Sequence, residues 1–218
     1  MIQIVGQVSL APSSIAPVKS DIWLSAGLRL TEAQQGLIQM RDAQNQIDYR
    51  QGWTRFVDSI EEFWTNLYAT GKSKFKTFQP WLGRFERQRS DDQLLSYLKH
   101  ARHQSQHGGI SLRWGDGHIE VGGPQYSGTI RNLAILPTGT FAVDVGPQQG
   151  SGPFQLIHHP PKPVLAPILD ARSKREYLPP TEHLGRPILD ASPHAIALLA
   201  LRYYEDLFRA ARDNFQQV

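Results

Sequence analysis

The chain is 218 residues long, carries a formal net charge of +3 and contains no cysteine. That length suits one sizeable domain, or a domain with a subdomain. The missing thiols exclude disulfides, thiolate metal sites and cysteine nucleophiles, and the mild, scattered positive charge permits a nucleic-acid partner without demanding one. The segment Met1 to Ser14 lacks the basic head and long apolar run of a secretory signal. No apolar stretch approaches the ~20 residues that span a bilayer. A cytoplasmic protein with no membrane partner is therefore expected.

In chain order, Ile2 to Ala16 alternate weakly and suit a short strand or an arm, and Asp21 to Leu30 is ambiguous between a strand and an irregular lead-in. Thr31 is placed to cap a helix, with Ala33, Leu37 and Met40 following at helical steps. Gly36 inside that helix costs about 1 kcal/mol against alanine. From Trp53 to Tyr68 a broad apolar stripe predicts a second helix, with Gly71 as its stop. Phe75, Phe78, Trp81, Leu82 and Phe85 form a shorter aromatic segment with Pro80 near a helix start. Ser90 then stands as an N-cap, Asp91 and Asp92 oppose the helix dipole, and Leu94, Leu95, Leu98 and Ala101 make an apolar face. Gly108 and Gly109 end this helix.

Beyond Gly109 the pattern turns to strands. Ile110 to Trp114 and Ile119 to Val121 flank Gly115-Asp116-Gly117-His118 and read as a hairpin; Thr129 to Leu136 and Thr140 to Val145 read as a second. Phe154 to Ile157 suits an edge strand, while His158 to Pro163 is too rich in proline for a central one. Val164 to Pro187 leaves room for short elements but is mostly loop by composition. Ser192-Pro193 is an N-cap followed by proline at the first helical position, and Ile196 to Phe215 continue as a long amphipathic helix. The chain thus divides into an arm (1–30), a helical bundle (31–109), a β-rich insertion with loops (110–190) and a closing helix (191–218). The fold class is α+β: an antiparallel bundle of four or five helices with a small antiparallel β-sheet inserted before the C-terminal helix.

The densest polar chemistry lies at the end of the helix from Ser90, where His100, Arg102, His103, Gln104, Gln106 and His107 fall within two turns. Histidine and arginine there can simply oppose the helix dipole, and Arg102 can pair with an acid of a neighbouring helix such as Asp58, Glu61 or Glu62. His100, His103 and His107 share one side of the helix, but the segment lacks the glutamate of a His-Glu-x-x-His motif and one helix rarely supplies three well-angled ligands, so no metal is assigned. The aromatic stripe from Phe75 to Phe85 suits base stacking in principle and core packing by habit. His158-His159-Pro160-Pro161 reads as surface loop, with metal binding a remote second.

Arg102 and His107, spaced Arg-x4-His near the end of a bundle helix, resemble the signature of the HEPN superfamily. His103 stands where that family usually has asparagine. The resemblance implies an all-helical up-and-down bundle that commonly dimerises. Many members are metal-independent ribonucleases whose motif residues meet across a dimer interface, and others are inactive assembly modules. Transferred to this chain, it makes His107 the acid/base, Arg102 the phosphate clamp, and His103 or Gln104 a substrate-positioning residue, with RNA as partner, a homo-oligomer as assembly and no cofactor. The chemistry suits such roles. A histidine exchanges protons near neutral pH, and an arginine's fork stabilises charge growing on a phosphate. The alternative is a non-catalytic interaction module of the same fold.

Overall fold

The computed structural model describes residues 22–106, 111–123, 126–130, 133–135, 141–143, 155–170 and 174–215. Two long helices, α1 (Ile22–Asp42) and α2 (Gln46–Lys74), form a hairpin. Asn45 caps α2 by accepting the Asp48 N–H. Ala26, Leu30, Ala33, Leu37 and Met40 are buried at alternating steps of four and three, so one apolar stripe runs through α1. That continuity is why the helix does not begin at Thr31, as its capping chemistry predicts. Thr31 lies mid-helix, its hydroxyl donating to the Gly27 carbonyl one turn back at 3.2 Å. The lead-in Asp21 to Leu30 is accordingly helical from Ile22.

Gly36 and Gly52 meet where the two helices cross. A Cβ on Gly36 would lie 2.8 Å from the Gly52 carbonyl oxygen, and one on Gly52 would lie 2.8 Å from the Gly36 oxygen. Gly71 is not a stop either: α2 runs to Lys74. Gly71 is buried, and a Cβ there would overlap the Phe78 ring. In both places glycine serves close approach between helices.

Two shorter helices follow, α3 (Phe78–Asp91) and α4 (Gln93–Gln106), and α5 (Pro193–Phe215) closes the bundle. Ser90 belongs to α3 and donates to the Glu86 carbonyl at 3.1 Å. The cap of α4 is Asp92, whose Oδ1 accepts the Leu95 N–H at 2.9 Å. Aspartate and serine cap equally well, and Asp92 has the extended backbone a cap requires. Ser192 caps α5 as its sequence predicts, accepting the Ala195 N–H at 3.3 Å. The core joins Phe56, Ile60, Phe63 and Leu67 of α2 to Leu94, Leu98, Ile196, Ala200, Tyr204 and Leu207 of α4 and α5. Phe78, Trp81 and Phe75 pack around Phe215, so the aromatic stripe serves the core. No helix among the described residues is long and apolar enough to cross a membrane.

Between α4 and α5 lie short antiparallel strands, so the class is the expected α+β one, with the sheet broken into small pieces. β1 (Leu112–Trp114) pairs with β7 (Pro163–Leu165). β2 (His118–Gly123) lies between β3 (Tyr126–Ile130) and the edge strand β6 (Gln155–His159). β4 (Leu133–Ile135) pairs with β5 (Phe141–Val143), which bears out the inner part of the second hairpin, while Thr129 and Ile130 belong to β3 and pair with β2. β8 (Ile168–Leu169) pairs with β9 (Glu176–Tyr177), and β10 (Glu182–His183) with β11 (Arg186–Pro187). The first expected hairpin does not form. Gly115–Gly117 instead carries the chain from one sheet to another, with Gly115 N–H donating to the Lys162 carbonyl at 2.9 Å. The arm from Ile2 to Ala16 and the stop at Gly108-Gly109 lie outside the described residues.

Helix α4 is the platform on which the strands dock. Tyr97, 1% exposed, places its hydroxyl 2.7 Å from the Ala166 carbonyl and 3.1 Å from that of Ser111. Beneath it, Trp53 of α2 donates to the Ser111 hydroxyl at 3.0 Å. At the other end, Asp92 accepts the Leu184 N–H at 2.6 Å and stands 3.0 Å from His183 Nδ1. Burial pushes the Asp92 carboxyl up, but the hydrogen bonds from His183 and the Leu184 and Leu95 amides outweigh it and hold it below the usual value. A carboxylate with a lowered folded-state pKa stabilises the fold above its unfolded value, ~3.9, and loses that contribution as pH falls through the folded value. Urea midpoints measured from pH 7 to pH 2 should therefore fall below about pH 4. Asp92→Asn should be less stable at pH 7 and should flatten that acid limb.

Candidate functional site

Helix α4 distributes the polar cluster around its axis. His100 and Gln104, one turn apart, face the β8–β9 pair. His100 stacks on Tyr177 with ring centroids 3.6 Å apart and planes 18° apart. Its Nδ1 is 4.0 Å from an Asp170 carboxylate oxygen. Burial, with Lys99 adding to it, holds this imidazole below its ordinary pKa. Gln104 donates to the Leu169 carbonyl at 2.8 Å. His103 is exposed. His107, the acid/base of the resemblance, lies outside the described residues, and so does the metal reading that would use it with His100 and His103. Among the described residues no group of three histidine or acidic side chains is arranged to hold a metal.

Arg102 points back at α2. Its Nε is 4.0 Å from Asp58 Oδ1, and the two side chains are 30% and 39% exposed. Of the three acids available on α2, Asp58 is the neighbour. Glu61 is taken by Arg89 of α3 and Glu62 by Arg29 of α1 at 3.0 Å. Burial raises the Asp58 carboxyl pKa, and the Arg102 charge only partly offsets it.

Asp58 also forms one end of a groove along α2. About 620 Å³ in volume, the groove follows the helix from Gln46 to Asp58, with Arg50, Thr54 and Arg55 among its lining residues. The stripe arises because Trp53, Phe56, Val57 and Ile60 face the core, which leaves the residues between them to line the outer side. Arg50 and Arg55 are exposed. The Arg50 guanidinium is 5.9 Å from the centroid of the half-buried Trp114 ring, whose edge-on neighbour is Tyr49 at 5.9 Å. The site therefore combines two exposed cations, a nearby indole, and an arginine seated beside a carboxylate. Such a surface can hold a polyanion by charge and a planar group by stacking. Motif spacing pointed to Arg102 but not to Arg50 or Arg55. Their signal was a row of polar residues, with the exposed Ile47 among them, on the outer face of an amphipathic helix.

No protein-family model, no curated protein and no solved structure matches this chain.

Proposed function

We propose that the protein binds single-stranded RNA along the α2 groove and cleaves it at the end of α4, with Arg102 clamping a phosphate and His107 handling protons. The supporting observation is that Arg102 adjoins Asp58, and Asp58 closes a groove whose exposed cations are Arg50 and Arg55. In this reaction His107 takes the proton of a ribose 2′-OH. The 2′ oxygen attacks phosphorus, and the bond to the 5′ oxygen breaks as that oxygen gains a proton from water, the hydroxide left behind taking the proton that His107 holds. A 2′,3′-cyclic phosphate and a free 5′-OH remain. The Arg102 fork stabilises the charge on the phosphoryl oxygens as it grows. His103 lies on the same helix end for substrate positioning, whereas Gln104 is engaged with Leu169 and acts in docking the strands. Leu24 and Leu28, one turn apart on α1 and 63% and 55% exposed, offer an apolar contact for a second copy.

The test is incubation with mixed-sequence RNA in EDTA. Wild type should cleave, and His107→Ala and Arg102→Ala should each lose roughly 100-fold or more. Arg50→Ala/Arg55→Ala should weaken binding and lower the slope of log affinity against log salt by about 1.4, or 0.7 for each lost phosphate contact. Cleavage unchanged in His107→Ala removes the assignment.

A second reading rests on the half-burial of Arg102 beside Asp58 and the engagement of His100 and Gln104 with β8–β9. On it the cluster joins bundle to strands in a non-catalytic interaction module. Arg102→Ala would then lower the melting temperature while RNA handling stayed absent or unchanged.

A further inference from the structure

The turn Gly115–Gly117 delivers His118 to the start of β2, directly opposite His159 at the end of β6. Their rings stack with centroids 4.5 Å apart and planes 16° apart. His118 is exposed and His159 half-buried, so the pair borders solvent. Its position is fixed from below. A Cβ on Gly117 would lie 2.8 Å from the Pro161 ring and 3.1 Å from the His159 carbonyl oxygen. Only glycine lets the strands approach this closely just before His118. Gly115 N–H holds the Lys162 carbonyl on the far side of the same turn.

The geometry points to a two-histidine site for a divalent first-row transition ion, held between His118 and His159 across the β2–β6 ladder. Directly opposed residues of antiparallel strands place their Cβ atoms about 4.5–5.5 Å apart. That separation lets two imidazoles turn about χ1 and χ2 until one nitrogen of each meets an ion at ~2.0–2.1 Å. The backbone pays little for this, because the strands and the glycine turn already hold both residues in place. Two neutral nitrogen donors select copper, nickel or zinc, with copper tightest, over calcium and magnesium, which require oxygen ligands. The remaining coordination positions face water, as in an open site. The pair is separate from the His100, His103 and His107 row on α4. It does not depend on the proposed RNA chemistry, whose assay in EDTA would strip it.

Titration of tag-free protein with Cu²⁺ and with Ni²⁺ at pH 7.5, followed by calorimetry, tests the assignment. One ion should bind per chain. His118→Gln and His159→Gln should each weaken binding at least tenfold, and the double variant should be little worse than either, because chelation needs both rings. His103→Ala should bind like wild type. Nitrogen hyperfine structure in the Cu²⁺ electron paramagnetic resonance spectrum should fall from two imidazoles to one in each single variant. Equal affinity in wild type and both glutamine variants, with circular dichroism showing all three folded, would overturn the site. So would loss of binding in His103→Ala with His118→Gln unaffected.

Discussion

Arg89→Ala is expected to cost about 3–5 kcal/mol of folding stability, the usual penalty for stranding one member of a buried ion pair. Arg89 and Glu61 are 6% and 7% exposed, and the Arg89 guanidinium holds the Glu61 carboxylate directly. Its Nε donates to the Tyr204 hydroxyl at 3.0 Å, and its plane lies over Trp64 at 4.3 Å from the ring centroid. Burial alone would lower the Arg89 pKa, but Tyr204 and Glu61 together raise it. Three helices therefore meet on one guanidinium. Removing it leaves the Glu61 charge without its counterion in a place water does not reach. For a chain of this length the loss corresponds to roughly 6–20 °C in melting temperature. Arg89→Lys should recover only part, since an ammonium cannot serve Glu61 and Tyr204 with one fork. Glu61→Leu combined with Arg89→Met should be far closer to wild type than either truncation alone, because no charge is then left buried. Equal losses in the double variant and in Arg89→Ala would show that the site depends on shape rather than charge.

Gly36→Ala and Gly52→Ala are each expected to cost about 2 kcal/mol, read as a lower urea midpoint with an unchanged slope. Alanine raises helix propensity by about 1 kcal/mol, so an exposed helical glycine should gain from the same change. Gly83 on α3, whose added Cβ meets nothing within 4 Å, supplies that control, and Gly83→Ala should stabilise. At Gly36 and Gly52 the new methyl would press on backbone, 2.8 Å from the opposing carbonyl and from the amides of Phe56 and Met40. Backbone cannot swing aside as a long side chain can, so the helices must separate along their length. Once separated they accept the second methyl cheaply, and the double variant should cost less than the sum. Stabilisation by Gly36→Ala would contradict the close crossing.

Much of the architecture was legible because it depends on local periodicity. The apolar stripe of α2, Pro80 near the start of α3, and Ser192-Pro193 opening α5 all follow from neighbours in sequence. The misreadings occurred where a distant partner decides. Thr31 and Ser90 are good caps by type, yet the buried stripe of α1 and the cap at Asp92 override them. Gly36 and Gly71 resemble helix weaknesses until Gly52 and Phe78 appear opposite. Gly115-Asp116-Gly117 has hairpin composition, but β1 finds its partner in β7, far along the chain. At the candidate site the Arg102–Asp58 neighbourhood was among the pairings that helix order allowed. The groove of Arg50 and Arg55, and the meeting of His118 with His159, required the fold.

The return of α5 onto the first helices governs when this protein becomes a finished object. Phe63 of α2 meets Tyr204 and Phe208 edge-on, with centroids 5.7 and 5.8 Å away, and Gln34 of α1 reaches Glu205 at 2.7 Å. At translation speeds of about 5–20 residues per second, the chain from His107 to Phe215 takes roughly 5–22 s to make. Throughout that interval α1 and α2 exist without their last wall, and the rings that will cover Phe63 have not been synthesised. The nascent chain thus presents an oily trough for seconds rather than milliseconds.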